Sequence, residues 1–195
     1  DALYGTRNMR TILYGIAYRG GANNAFHKTK KRDNHNPLPD GTLENLLHEG
    51  FSTAIYLYST NFKKETTLVS QVEHGGKVYH ADTIDYIQNS GNSRKDMKAI
   101  LGLVYDAIKD PNKGPIYLHC WNGWHQSGYV SSAILKQFCR FTDDEAYAYW
   151  LKNTDGVNKG YDRVKKQVRD FRPFPEFEID DATRREICPC NDTKK

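Results

Sequence analysis

The feature that most constrains the fold is an apolar run, "GPIYLHC" (114–120), which leads through "WNGWHQSG" (121–128) into "GYVSSAILKQFCRF" (128–141), where apolar residues recur at helical spacing. A buried strand followed at once by a helix is half of a βα unit, and such units require a sheet with helices packed on it. The alternation recurs along the chain. "TILYGIAYRGG" (11–21) reads as a strand ending at its glycines, and "FSTAIYLYS" (51–59), rich in β-branched and aromatic residues, as a second. Between them "DGTLENLLHEG" (40–50) is a short helix, with Leu43, Leu46 and Leu47 on one stripe and Gly50 as its stop. "KVYHADTI" (77–84) is a peripheral strand. Residues 93–109 form a helix with Met97, Ile100, Leu101, Val104 and Ile108 on one face and Ser93 as N-cap. "TDDEAYAYWLKN" (142–153), opened by a Thr142/Glu145 capping box, and "YDRVKKQVRDF" (161–171) are the last helices.

One α/β domain over 1–172 is expected, followed by a charged, proline-containing C-terminal tail (173–195) that is extended or loosely ordered. A chain of 195 residues with 38% hydrophobic and 27% charged content has the length and balance for a soluble domain with a sizeable core. Its net charge of +4 is too small and too dispersed to argue for nucleic acid. The run "HKTKKR" (27–32) reads as a solvated loop. No stretch of about 18 apolar residues is present, so no membrane span is expected. The start at Asp1 fits a trimmed or processed chain, which leaves cytoplasmic and exported locations equally open. Four cysteines are too few for a disulfide scaffold. Cys139 reads as ordinary core; Cys188 and Cys190 in "ICPC" pair, bind metal or do neither.

In an open α/β sheet, ligands bind beyond the carboxyl ends of the strands, and Cys120 sits at such a junction. Gly123 permits tight curvature in the loop that follows. Backbone N–H groups and the dipole of a helix N-terminus favour an anion there, and the same surroundings favour the nucleophilic thiolate. His119 would hold the loop or the thiolate in place. Taken alone, a cysteine ending a strand is more often core; the His119–Gly123–Ser127 spacing around it turns the reading toward a nucleophile. Trp121 and Trp124 either wall a cleft or pack the loop, and His125 reads more as a structural residue than a catalytic one. A metal site from His119, Cys120 and His125 is disfavoured, because neighbouring ligands in a tight loop seldom converge on one ion. No metal and no cofactor are expected.

"HCWNGWHQS" resembles the active-site loop of the protein tyrosine and dual-specificity phosphatase superfamily: His-Cys, two residues, Gly, two residues, Arg, then Ser or Thr. His119, Cys120, Gly123 and Ser127 fall on the pattern; Gln126 stands at the arginine position. "YRGGA" (18–22) resembles the "YRS-x-Q" segment of many such enzymes, and "LENLLHEGFSTAIYLY" (43–58) their helix–strand unit, so the likeness runs over about residues 11–155. It implies a cysteine-phosphatase-like three-layer α/β fold with a central, mostly parallel sheet of about four to five strands. It implies that Cys120 attacks phosphorus and that Ser127 assists release of the thiolate. An aspartate acts as general acid: Asp85 first, Asp82 and Asp96 next. Trp121, Asn122, Gly123, Trp124, His125 and Gln126, with Arg19, would bind the phosphate.

Arginine grips two phosphoryl oxygens and glutamine brings no charge, a loss of about 10²–10⁴ in rate by analogy with deleted oxyanion-hole donors and arginine fingers. Protonated His125, Arg19 or Arg94 are candidates to fill that gap. Two functions follow: hydrolysis of a phosphate monoester, on a phosphoprotein or similar, through phosphocysteine; or a pseudophosphatase that binds a phosphorylated partner or other anion without turnover. The expected partner is a phosphorylated substrate or protein, or in the second case another anion.

Overall fold

The computed structural model describes residues 3, 5–22, 37–58, 65–74 and 77–189, of which 65–74 and 77–82 by backbone alone. Six strands form one sheet: β1 (Arg7–Leu13), β2 (Ala17–Gly21), β3 (Thr53–Tyr56), β4 (Glu65–His74), β5 (Lys77–Gln88) and β6 (Ile116–His119). Their order across the sheet is β1-β2-β6-β3-β5-β4. The inner strands β2, β6, β3 and β5 are parallel, and β1 and β4 add antiparallel edges. Among the described residues six α-helices accompany the sheet: α1 (Asp40–His48), α2 (Arg94–Lys109), α3 (His125–Cys139), α4 (Asp143–Lys152), α5 (Asp162–Asp170) and α6 (Asp181–Ile187). The fold is thus the expected three-layer α/β arrangement around a mostly parallel sheet. It has more strands than expected because 11–21 is not one strand but parts of two, β1 and β2. The chain reverses at Tyr14–Ile16, where Gly15 takes φ 70°, a conformation open to glycine. Edge strand β4 accounts for the other addition.

Alternation along the inner strands sorts the core into two faces. Ala54 and Tyr56 of β3, Tyr86 of β5 and Tyr117 of β6 pack with Leu43, Leu46 and Leu47 of α1. Ile55, Leu118 and Cys120 face the other way, into a larger cluster with Ile100 and Val104 of α2 and Val130, Ile134 and Phe138 of α3. Helix α2 begins as expected, with the Ser93 hydroxyl accepting from the Asp96 N–H, and the Thr142/Glu145 capping box opens α4. No described helix is long and apolar enough to cross a membrane.

The stretch after Arg172, expected as a loose tail, is instead folded onto α3 as far as it is described. Phe174, Ile179 and Ile187 are buried in the larger cluster. Gln137 clasps Phe174, donating to its carbonyl at 3.0 Å and accepting from its N–H at 2.7 Å. Cys188 is disulfide-bonded to Cys139, which corrects the reading of Cys139 as plain core and gives Cys188, whose use the sequence left open, a partner other than Cys190; Cys190 lies outside the described residues, as does 27–32. Lys136, 4% exposed, sends its ammonium to the carbonyls of Val168, Arg169 and Phe171 at the end of α5 and to Asp143 at 2.8 Å. A lysine reaching the last carbonyls of a neighbouring helix satisfies acceptors the helix itself leaves open.

Candidate functional site

At the carboxyl end of β6 the chain passes through residues 120–124 into α3, whose N-cap, Trp124, offers no side-chain cap. Cys120 is 5% exposed, and its Sγ lies 3.4 Å from Ser127 Oγ, one turn into the helix. The loop carbonyls are held by the surrounding scaffold. Trp121 O accepts from Ala22 N–H at 2.9 Å, Asn122 O from Asn8 Nδ2 at 2.8 Å, Gly123 O from Arg19 Nη2, and Trp124 O from Arg19 Nη2 at 3.0 Å. In a planar trans peptide the N–H points opposite to its carbonyl, so the amides of Asn122, Trp124 and His125 are turned away from Ala22 and from the buried Arg19. The loop lies tightly on β2: Gly123 has φ 75°, and a Cβ there would meet Gly20 C at 2.7 Å and Gly21 N at 2.8 Å. A Cβ at Gly21 would meet Trp121 O at 2.5 Å. These contacts account for the glycines of "YRGGA".

His119 is not beside the thiol. Period-two alternation puts its ring on the α1 face, at 5.3 to 5.9 Å between ring centres from Tyr56, Tyr86 and Tyr117. Its Nδ1 contacts Cys120 O at 3.3 Å, which places the proton on Nδ1, and Nε2 accepts from Tyr86 Oη at 2.9 Å. Complete burial pushes its pKa down from 6.5 to about 3, so the ring is neutral. The ring thus holds the Cys120 carbonyl from the α1 face.

Arg19, fully buried, comes from the α3 side of β2 and lies under the loop, with Nη2 3.4 Å from Ser127 Oγ. Gln126 gives its amide to Ser90 O and to Asn92 Oδ1, the latter at 3.2 Å, so it ties the loop to residues 89–93 at the end of β5. His125 is stacked on Tyr161 with ring centres 3.5 Å apart and its Nε2 donates to Val157 O; burial lowers its pKa, and nearby Arg19 adds to that lowering. Both effects disfavour the protonated form of His125. Arg94 stacks on Phe174 at 3.8 Å and donates to Arg172 O, bracing the folded C-terminal stretch. Trp124 hydrogen-bonds Asp155 at 2.8 Å through its indole and Asn122 is held by Arg7 at 2.7 Å.

Asp85 is not brought to Cys120. The register aligns Thr53 with both Asp85 and Ile116, so Asp85 sits level with the start of β6, about 13 Å below Cys120 at the usual rise per residue. It lines a separate cavity of about 590 Å³ with Asp106 and Lys113 at the amino end of the sheet. Asp82 is further down β5. Asp96 stands at the carboxyl end of the sheet, as Cys120 does: its backbone carbonyl accepts from Asn89 Nδ2 at 3.2 Å, one residue past β5. A groove of about 220 Å³ opens beside Gln126, between Tyr58, Asn92, Arg163 and Gln167. It continues into a second hollow of about 310 Å³ that reaches Arg94, Lys166 and Arg172. Among the described residues no three of His, Cys, Asp and Glu gather to hold a metal ion.

The roles of Asn8, Tyr86, Tyr161 and Asp155 in holding this site carry no signature in the sequence beyond residue type, since each acts across long sequence separations. No protein-family model and no curated protein matches the sequence. Solved structures do match. The core catalytic domain of the PP-IP phosphatase SIW14 from S. cerevisiae, in complex with citrate, superposes with a TM-score of 0.52 at 15% identity, over 94% of this chain and 92% of that one. This chain has the fold of the Siw14 catalytic core. A second structure of the Siw14 catalytic core gives the same TM-score at 14% identity, over 94% and 91% of the two chains.

Proposed function

We propose that the chain is a cysteine-dependent phosphatase of the protein tyrosine and dual-specificity type, acting at Cys120 on a phosphate monoester carried by a phosphoprotein or similar anionic substrate. The observation that carries this reading is the thiol of Cys120 under the uncapped start of α3, in contact with the Ser127 hydroxyl while the carbonyls of Gly123 and Trp124 are tied to the buried Arg19. In the first step Sγ bonds to phosphorus as the ester P–O bond breaks, and the amides of 121–127 bind the phosphoryl oxygens. Asp96 protonates the departing oxygen. It then takes a proton from the water that attacks phosphocysteine; inorganic phosphate leaves and the Ser127 hydroxyl receives the thiolate in a hydrogen bond. The Siw14 core, a PP-IP phosphatase, shares the fold, and the Arg163-lined groove suits a substrate with negative charge near its ester.

A second reading is favoured by one observation: the Gln126 amide is committed to Ser90 and Asn92 and supplies no charge. On this reading the loop binds a phosphorylated partner without turnover. Phosphate release from p-nitrophenyl phosphate and from phosphopeptides decides between them, with acid-quenched trapping of phosphocysteine. Hydrolysis that disappears in Cys120→Ser supports the enzyme; tungstate binding with no release and no trapped intermediate supports the binding module. Asp96→Asn is expected to slow alkyl phosphates by about 10²–10⁴ and leave p-nitrophenyl phosphate, whose leaving group departs unprotonated, much less affected.

A further inference from the structure

Among the described residues Arg19 is a buried cation with no acidic side chain paired to it. It is fully buried, forms no ion pair among the described residues, and leaves Nε and Nη1 without hydrogen-bond partners. Its hydrogen bonds run from Nη2 alone, to the carbonyls of Gly123 and Trp124 and to Ser127 Oγ, and the flat guanidinium also faces the Tyr149 ring at 5.7 Å. A guanidinium stays charged at any ordinary pH, and an isolated buried charge is unfavourable unless an anion or an array of dipoles compensates it. Carbonyl dipoles compensate part of it. The remaining direction leads through Ser127 Oγ, which is 3.4 Å from Nη2 on one side and 3.4 Å from Cys120 Sγ on the other. Meanwhile the position that would aim a cation into the loop from above holds neutral Gln126, and half-buried His125 beside it has its pKa lowered, chiefly by burial.

We infer that Arg19 supplies, from beneath the loop, the positive charge that Gln126 does not supply from within it, and that this charge stabilises the anion seated over Cys120. Arg19 is a positioning and electrostatic residue: it touches no substrate and acts through Ser127 and through the loop peptides whose carbonyls it holds. This inference rests on the reading of the Cys120 loop as an anion cradle. It departs from a direct contact between Arg19 and phosphate, because the guanidinium is enclosed on the carbonyl side of the loop.

The test is tungstate binding by titration calorimetry on the full chain, in four proteins: wild type, Arg19→Met, Gln126→Arg and the double variant. Removing the charge is expected to weaken tungstate on the order of 10- to 100-fold. Arginine at 126 restores a cation to the loop, so the double variant should return to within a few-fold of wild type, and Arg19→Lys should keep more affinity than Arg19→Met. A residue that merely braces the loop would show neither rescue; a double variant as weak as Arg19→Met overturns the inference. Melting temperatures confirm that each protein is folded, and Arg19→Gln replaces Arg19→Met in the same cycle if the methionine protein does not fold. Phosphate release is not part of the readout. A chain that binds tungstate through Arg19 yet hydrolyses nothing upholds the inference and refutes the hydrolytic function, whereas a wild-type chain that binds no tungstate overturns both.

Discussion

His119→Gln isolates the electrostatic cost of burying an imidazole beside the Cys120 loop. The native ring is neutral down to about pH 3, while in the unfolded chain it titrates near 6.5. Between these values the unfolded state holds one proton that the native state does not. Stability attributable to His119 is therefore complete above pH 6.5 and is lost as pH falls toward 3, with a slope of about 1.4 kcal/mol per pH unit. From pH 7 to pH 5 that amounts to about 2 kcal/mol. Glutamine keeps an amide donor and acceptor for Cys120 O and Tyr86 Oη but does not titrate. At pH 7 the substitution should destabilise by about 1–3 kcal/mol through imperfect replacement of two buried hydrogen bonds. At pH 5 this penalty should have shrunk by about 2 kcal/mol and could change sign. Urea unfolding of both proteins at pH 7, 6 and 5 measures it. Equal stability differences at all three values would show that His119 takes up its proton in the folded chain as readily as in the unfolded one, and the assignment of its ring to a buried tyrosine cage would be wrong.

Three further outcomes follow from the geometry. Gly123→Ala forces a Cβ into the backbone of Gly20 and Gly21 at a positive φ; it should abolish tungstate binding and destabilise the fold by about 1–3 kcal/mol if the loop strains in place, read as a lower melting temperature. Gln126→Arg should raise phosphate release by about 10²-fold if the loop has room for two charged contacts to phosphate, and an unchanged rate would place the chemical barrier elsewhere. Removing the Cys139–Cys188 bond with a serine at each position should cost about 4 kcal/mol, as expected for a closed loop spanning 49 residues, read from urea unfolding under non-reducing conditions.

Much of the fold was legible because its signals are local. The Ser93 cap, the Thr142/Glu145 box and the leucine stripe of α1 each specify a helix within a few residues, and all three are present. The turn at Gly15 was hidden, since Tyr14 and Ile16 keep an apolar run going through a reversal that a single glycine makes possible. The folding of 173–188 onto α3 was hidden for a different reason: its prolines and charges read as solvent-exposed, whereas Phe174, Ile179 and Ile187 find their partners on α3 and its surroundings. At the site, Cys120, Gly123 and Ser127 are close in sequence and their spacing alone brought them together. Asp85 was misplaced because β5 runs on to Gln88, so a residue that looked like the end of a strand lies in its middle. The importance of Arg19 beneath the loop rests on contacts more than 100 residues apart along the chain, which no local pattern encodes.

The enclosure of Lys136 gives the chain a built-in reporter. An amine 4% exposed, occupied by three carbonyls and a carboxylate, is shielded from acylating reagents for as long as α5 stays docked. Mass-spectrometric footprinting of lysines would therefore mark the moment α5 lets go, since Lys136 acquires label with that release while Lys166, on the open side of α5, reacts from the outset.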